Sequence, residues 1–124
     1  MRIERFEDLS VWKESRELVK TIYEIVNSNE NLKKDFKLVS QITSASLSII
    51  SNIAEGFFRK SNKEFIQFLY ISKGSISEVQ SILYIISDLK YINLDKFSLV
   101  YNKLDKIAKM CSNLIKYLSE TQKR

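Results

Sequence analysis

The chain has 124 residues, 44% of them hydrophobic, with 20 basic against 15 acidic side chains and a net charge of +5. That is enough for one domain to bury a core without disulfide or metal staples, and the apolar content excludes global disorder. The absence of histidine and the single Cys111 remove imidazole acid–base chemistry, His-based triads, thiolate zinc clusters and any internal disulfide.

With no proline and only two glycines, Gly56 and Gly74, almost nothing interrupts long helices, and an all-β fold lacks its turn residues. The chain therefore reads as all-α. A first helix is expected over about residues 9–27, capped by Asp8 or Ser10, with Val11, Leu18, Ile22, Ile25 and Val26 on its apolar side. Phe6 and Leu9 are expected to pack on the bundle as an extended arm. The polar run Asn27-Ser28-Asn29 closes the helix, and the loop to Asp35 has room for a helical turn. A second helix is expected over about 37–59, with Leu38, Ile42, Ala45, Ile49 and Ile53 at spacings of 3 or 4. Ser61 and Glu64 have the spacing of a capping box, in which each side chain bonds the other residue's backbone N–H. They open a third helix over about 62–89. Leu94-Asp95 opens a fourth, to about 120, carried by Phe97, Val100, Leu104, Ile107, Cys111, Ile115 and Leu118. Residues Thr121 to Arg124 are expected to fray.

Four amphipathic helices with short loops predict one domain over 1–124, an antiparallel up-and-down four-helix bundle. The sustained heptads of a long coiled coil are missing. Apolar side chains cover about half the circumference of the second helix, at about 100° per residue, and run almost unbroken from Phe65 to Ile71 in the third. That excess over one core-facing stripe predicts a second buried face, against another copy or a partner. The charged start of the chain has no signal-peptide pattern, and no uncharged apolar stretch approaches the ~18 residues of a membrane span. A cytoplasmic protein without membrane attachment is expected.

Candidate functional positions follow from charge and from punctuation. Asn52 and Glu55, three apart, share a helical face near Ser48, Ser51, Ser72, Gly74 and Ser75. They are expected to hydrogen-bond across to a close neighbouring helix and fix its register rather than bind a ligand. Gly56 is expected at a close backbone approach. Gly74 in mid-helix costs about 1 kcal/mol relative to Ala, which predicts a tightly packed neighbour there too. Arg59, Lys60 and Lys63 cluster at the turn between helices two and three, placed for phosphate contact with help from the N–H groups of the following helix. Arg59 and Lys60 equally suit the negative C-terminal end of helix two. Lys13, Arg16 and Lys20 form a second basic stripe, with Glu17 and Glu24 on the same side for ion pairing. Tyr84, Tyr91 and Tyr101 are candidates for base stacking or for packing. The carboxylates Asp8, Glu55, Glu64 and Glu78 make no metal-ligand motif, so a metal-dependent nuclease is not expected. No metal site, no cofactor and no catalytic residue is assigned.

Several blocks together carry a family resemblance: FEDLSVWKESREL from Phe6 to Leu18, Gln41, SLSIISNIAEGF from Ser46 to Phe57, then Ser61, Glu64, Phe65, Phe68 and KGSISEV from Lys73 to Val79. Over almost its whole length the chain closely resembles the bacterial four-helix-bundle family of 23S rRNA intervening sequence proteins. The resemblance implies an antiparallel bundle that assembles as a ring-like homo-pentamer. A similar protein, the accessory variability determinant of diversity-generating retroelements, binds a reverse transcriptase and nucleic acid through a basic pentameric barrel. RNA or DNA and a reverse transcriptase are therefore the partners the resemblance implies. Most members have no assigned activity, and the family name records genomic location rather than rRNA processing. The chain departs from the family where arginines commonly follow the Gln-Ile of helix two; here Gln41-Ile42 precedes Thr43-Ser44-Ala45. The functional expectation is a non-enzymatic homo-oligomeric scaffold that binds RNA or DNA through basic surface patches. The alternative is a protein-binding adaptor with no nucleic-acid role.

Overall fold

The structure, a computed structural model, describes residues 3–121. After a 3-10 turn at Phe6–Asp8 it contains α1 (Ser10–Ser28), the short α2 (Glu30–Lys34), α3 (Phe36–Phe57), α4 (Asn62–Asp88) and α5 (Leu94–Glu120). No strand occurs among the described residues. Of the segment expected to fray, residues 122–124 lie outside the described residues. Thr121 closes α5, its N–H and hydroxyl both donating to the Tyr117 carbonyl, at 3.1 and 3.0 Å.

Most helix starts are set by one side chain. Asn29, Asp35, Ser61 and Asn93 accept from the backbone N–H of Leu32, Leu38, Glu64 and Lys96, at 2.8, 3.2, 3.2 and 2.8 Å. Each bond satisfies a donor that the helix itself leaves orphaned. The expected capping box is only half formed. Ser61 also donates to the Glu64 carboxylate at 3.4 Å, but that carboxylate does not reach back to the Ser61 N–H. α1 corrects the expectation of an Asp8 or Ser10 cap. Asp8 lies in the 3-10 turn, Ser10 is already helical, and Leu9 holds the cap position with no side-chain hydrogen bond. Leu9 is buried, so burial of an apolar side chain, rather than a polar cap, sets where the chain enters α1. The expected extended arm is accordingly a tight turn.

α1, α3, α4 and α5 pack around one core in the order α1–α3–α4–α5, with α5 returning to α1. The antiparallel course of α3 and α4 follows from two cross-helix bonds: Ser72 donates to the Ile49 carbonyl at 2.9 Å, and Ser75 to the Ser48 hydroxyl at 2.8 Å. Asn62 to the Leu118 carbonyl (3.2 Å) and Gln80 to Asp105 (2.9 Å) do the same for α4 and α5. The centre is aliphatic, with Leu18, Ile22, Ile49, Ile53, Leu69, Ile76, Leu83, Ile86, Leu104 and Ile107 essentially inaccessible. Cys111 lies among them, and burial pushes its thiol up to about 11, so it is an inert core side chain at neutral pH.

The register contacts are not made by the residues expected to make them. Asn52 is half-buried and donates within its own helix, to the Ser48 carbonyl and hydroxyl at 2.8 and 3.0 Å. Glu55 is exposed and pairs with Arg59 at 2.6 Å, also within reach of one turn. The short hydroxyls of Ser72 and Ser75 cross to α3 instead, because only a short side chain bridges helices this close. Gly56 is where the closeness is greatest: a Cβ there would sit 2.8 Å from both Phe65 Cδ1 and Phe68 Cβ. Gly74 is the opposite case and corrects its expectation, since a Cβ on it would meet nothing within 4 Å.

Gly56→Ala forces Phe65 and Phe68 off α3. It is expected to destabilise the protein by about 1–3 kcal/mol, the usual cost of overpacking, read as a lowered midpoint in urea unfolding.

Candidate nucleic-acid interface

The turn between α3 and α4 comes to the end of the bundle where α1 begins. α3 stops at Phe57, and the next three residues put one aromatic and two basic side chains on the surface. Phe57 turns inward and packs on Phe65, ring centroids 6.2 Å apart. Phe58, 70% exposed, meets the edge of Phe6 at 5.7 Å. Phe6 in turn packs on Trp12 at 5.3 Å, and the Arg16 guanidinium lies 5.7 Å from the Trp12 ring. On the other side of the turn, the Arg59 guanidinium lies 4.6 Å over Phe68 while bonding Glu55. Arg16, Trp12, Phe6 and Phe58 thus form one continuous string, a cation followed by three rings, and Arg59 follows Phe58 in the chain with its guanidinium turned to Phe68.

Lys60 and Arg59 border a cleft of about 320 Å³ whose other walls include Phe57, Phe65, Asn62 and Tyr117. Lys63 opens on a neighbouring shallow cleft with Ile66, Gln67 and Tyr70. Among the described residues, Lys13, Lys60 and Lys63 enter no ion pair. Lys20 is held at 3.7 Å by Glu17, about 15 Å along the helix from Ser10 at 1.5 Å per residue, away from the turn. The two basic sets named from sequence are therefore brought to one end of the bundle by the Phe6–Phe58 contact, with Lys20 outside the junction. Acidic groups temper this end: Glu55 partly neutralises Arg59, and the Arg5–Glu7 pair at 2.6 Å holds the Glu7 carboxyl below its ordinary value through that hydrogen bond.

Such an arrangement has a defined chemical use. Guanidinium and ammonium groups hold phosphates, while exposed rings offer faces to unpaired bases. The tyrosines named for stacking are placed elsewhere. Tyr84 and Tyr101 pack with Phe97 at centroid distances of 5.0 to 5.7 Å, and the Tyr84 hydroxyl raises the Tyr101 phenol above its ordinary value. Tyr91 is half-buried against the core. Phe6 and Phe58 were missed by sequence reasoning, although an aromatic pair directly before a basic pair, Phe57-Phe58-Arg59-Lys60, was the available signal.

The opposite end holds a cavity of about 480 Å³ lined by Ile25, Ser28, Asn29, Tyr91, Asn93 and two lysines, Lys90 and Lys96. Lys90 has φ 64° and closes α4. Its N–H donates to the Ser87 carbonyl at 2.9 Å and that of Tyr91 to Ile86 at 3.0 Å, the double bond of a Schellman ending. No group of three or more His, Cys, Asp or Glu residues able to hold a metal occurs among the described residues. Nor is any helix among them long and apolar enough to cross a membrane.

The fold and this surface define an all-α bundle protein with a basic, ring-studded end. The chain belongs to the family of 23S rRNA-intervening sequence proteins, whose family model matches residues 7–113. Its structure is similar to the crystal structure of a protein with unknown function from the S23 ribosomal protein family of Bacteroides thetaiotaomicron. The two are 26% identical with a TM-score of 0.77, over 86% of this chain and 98% of that one. No curated protein matches the chain.

Lys90 occupies a backbone region in which a side chain costs about 1 kcal/mol or more and glycine costs little. Lys90→Gly is expected to raise stability by about 1 kcal/mol, read as a higher urea midpoint with unchanged helical circular dichroism.

Proposed function

We propose that the protein is a non-enzymatic, self-assembling four-helix-bundle scaffold that binds RNA or DNA at the end formed by the start of α1 and the α3–α4 turn. The observation that carries this reading is the continuous string of Arg16, Trp12, Phe6 and Phe58, with Arg59 and Lys60 following Phe58 at the same end of the bundle. Phosphates are held by Arg59, Lys60 and Lys63, with Lys13 and Arg16 extending the track along α1. Single-stranded segments are favoured, because only unpaired bases can stack on Phe58. Assembly as a ring-like homo-pentamer repeats the patch in every subunit, which strengthens a weakly basic surface. The setting is cytoplasmic, and an enzyme that works on nucleic acid, such as a reverse transcriptase, is a fitting partner.

A second reading, an adaptor for protein alone, is favoured by one feature. α3 carries no charge from Leu38 to Ala54, although Ser40, Gln41, Ser44, Leu47 and Ser51 on it are exposed. Such a surface suits a protein better than a polyanion.

Fluorescence anisotropy with short RNA and DNA probes at about 50 and 200 mM salt separates the two, since phosphate contacts release counterions and lose strength steeply with salt. The folded triple variant Arg59→Glu, Lys60→Glu, Lys63→Glu is expected to bind more weakly on every sequence and with a shallower salt slope. Unchanged affinity in that variant removes these residues from the interface. Phe58→Ala is expected to weaken single strands by about 1–3 kcal/mol while leaving duplex binding nearly untouched. Absence of binding by the wild type at either salt leaves the adaptor reading.

A further inference from the structure

The cavity at the end of the bundle away from the α3–α4 turn, about 480 Å³ in volume, has Lys90, Lys96, Asn29 and Asn93 among its walls. Both asparagines are already oriented by the backbone. Asn29 Oδ1 accepts from the Leu32 N–H, and Asn93 Oδ1 from the Lys96 N–H, each at 2.8 Å. Only the oxygen of a carboxamide accepts from an N–H, so the group each asparagine has left is its Nδ2, which can only donate. Among the described residues neither Nδ2 has a hydrogen-bond partner, and neither lysine has an ion-pair partner. Ser28 donates its own proton to the Ile25 carbonyl at 2.9 Å. No carboxylate lines the cavity; Asp88 borders an adjoining cleft that shares Lys90 and Asn93 with it. The rest of the lining is Ile25, Ile92 and Tyr91.

We propose that this cavity binds a small organic phosphate, a phosphate monoester with a flat or apolar body such as a nucleoside monophosphate. Two ammonium groups match the charge of a monoester, about −1.5 to −2 at neutral pH, where a single carboxylate would leave one of them unmatched. The two lysines and the two Nδ2 groups hold the phosphate oxygens, and the body of the ligand packs on Tyr91 and the two isoleucines. Inorganic phosphate alone would leave that apolar part uncovered. The volume lies within the range of about 300–1,000 Å³ usual for small-molecule sites. The backbone at Lys90 points the same way. Its φ of 64° suits glycine better than any side chain, and strain of that kind is kept where the side chain has a use. Glycine there would close α4 at lower cost, but would remove one of the cavity's two cations.

This site is independent of the surface at the other end, and equilibrium dialysis of the full chain against adenosine and uridine monophosphates tests it alone. At about 150 mM salt, saturable binding of at least one nucleotide is expected. The matching nucleoside and inorganic phosphate are each expected to bind about tenfold more weakly or worse, as is the nucleotide to Lys90→Gln and to Lys96→Gln, each change deleting a charge-assisted bond. Lys90→Gly, the stabilised variant, is expected to lose binding to the same extent, so that loss does not come from unfolding. Lys109→Gln, on exposed α5 outside the cavity, and the Arg59→Glu, Lys60→Glu, Lys63→Glu variant are expected to bind like the wild type. Displacement of the nucleotide by a 5′-phosphorylated oligonucleotide, but not by its 5′-hydroxyl counterpart, assigns the phosphate to a strand end; no displacement by either assigns it to a free small molecule. No binding of either nucleotide at millimolar concentration overturns the proposal. So does equal binding of nucleoside and nucleotide, wild-type affinity in both lysine-to-glutamine variants, or loss of binding in the folded Arg59, Lys60 and Lys63 variant.

Discussion

The rest of the molecule depends on how closely α3 approaches α4. Where Phe65 and Phe68 lie on Gly56, no side chain separates the helices, and Ser72 and Ser75 tie them a few turns further on. These contacts set the angle at which the chain leaves α3 and re-enters α4. The turn between them is short, so any residue in it has little freedom of direction. Phe57 is drawn inward onto Phe65, and Phe58 is left outside. The exposed end of the aromatic string is thus a consequence of helix packing rather than of the turn's own preferences.

Burial of Leu9 completes that end. A polar cap on α1 would have left the first residues free to point into water. With Leu9 in the core, the 3-10 turn folds Phe6 back between Trp12 and Phe58. One apolar side chain thereby connects the basic groups of α1 with those after α3. The two sets are far apart in sequence and joined only through rings.

Charge is divided among the helices in a way that single-residue arguments do not reveal. α1 and α5 carry most of the ionic groups, and the Glu14–Lys106 pair at 3.3 Å links them on the bundle surface. α3 and α4 are almost without charge along their middle turns, and much of what they leave exposed is small or apolar. A subunit that remained alone in water would gain from charge on those faces. Those two helices instead leave a largely uncharged surface, and Gly74 on it has no packing role inside the subunit.

Periodicity alone determined the all-α class, the four long helices and nearly all of the core, because apolar side chains at spacings of 3 and 4 have one way to leave water together. Local chemistry was equally legible where one side chain acts on its own backbone, as with Ser61 at the start of α4. The basic turn at Arg59, Lys60 and Lys63 was also visible as a run in the chain. What the sequence could not display was which polar groups bridge helices. Asn52 and Glu55 looked suited to the task, yet their side chains find partners one turn away, and the shorter Ser72 and Ser75 do the bridging. The two glycines, alike on paper, were separated only by tertiary structure, since what a missing Cβ makes room for depends on the neighbour that packing brings. The aromatic string from Arg16 to Phe58 was likewise decided by folding, because Leu9 must be buried before Phe6 can reach Phe58.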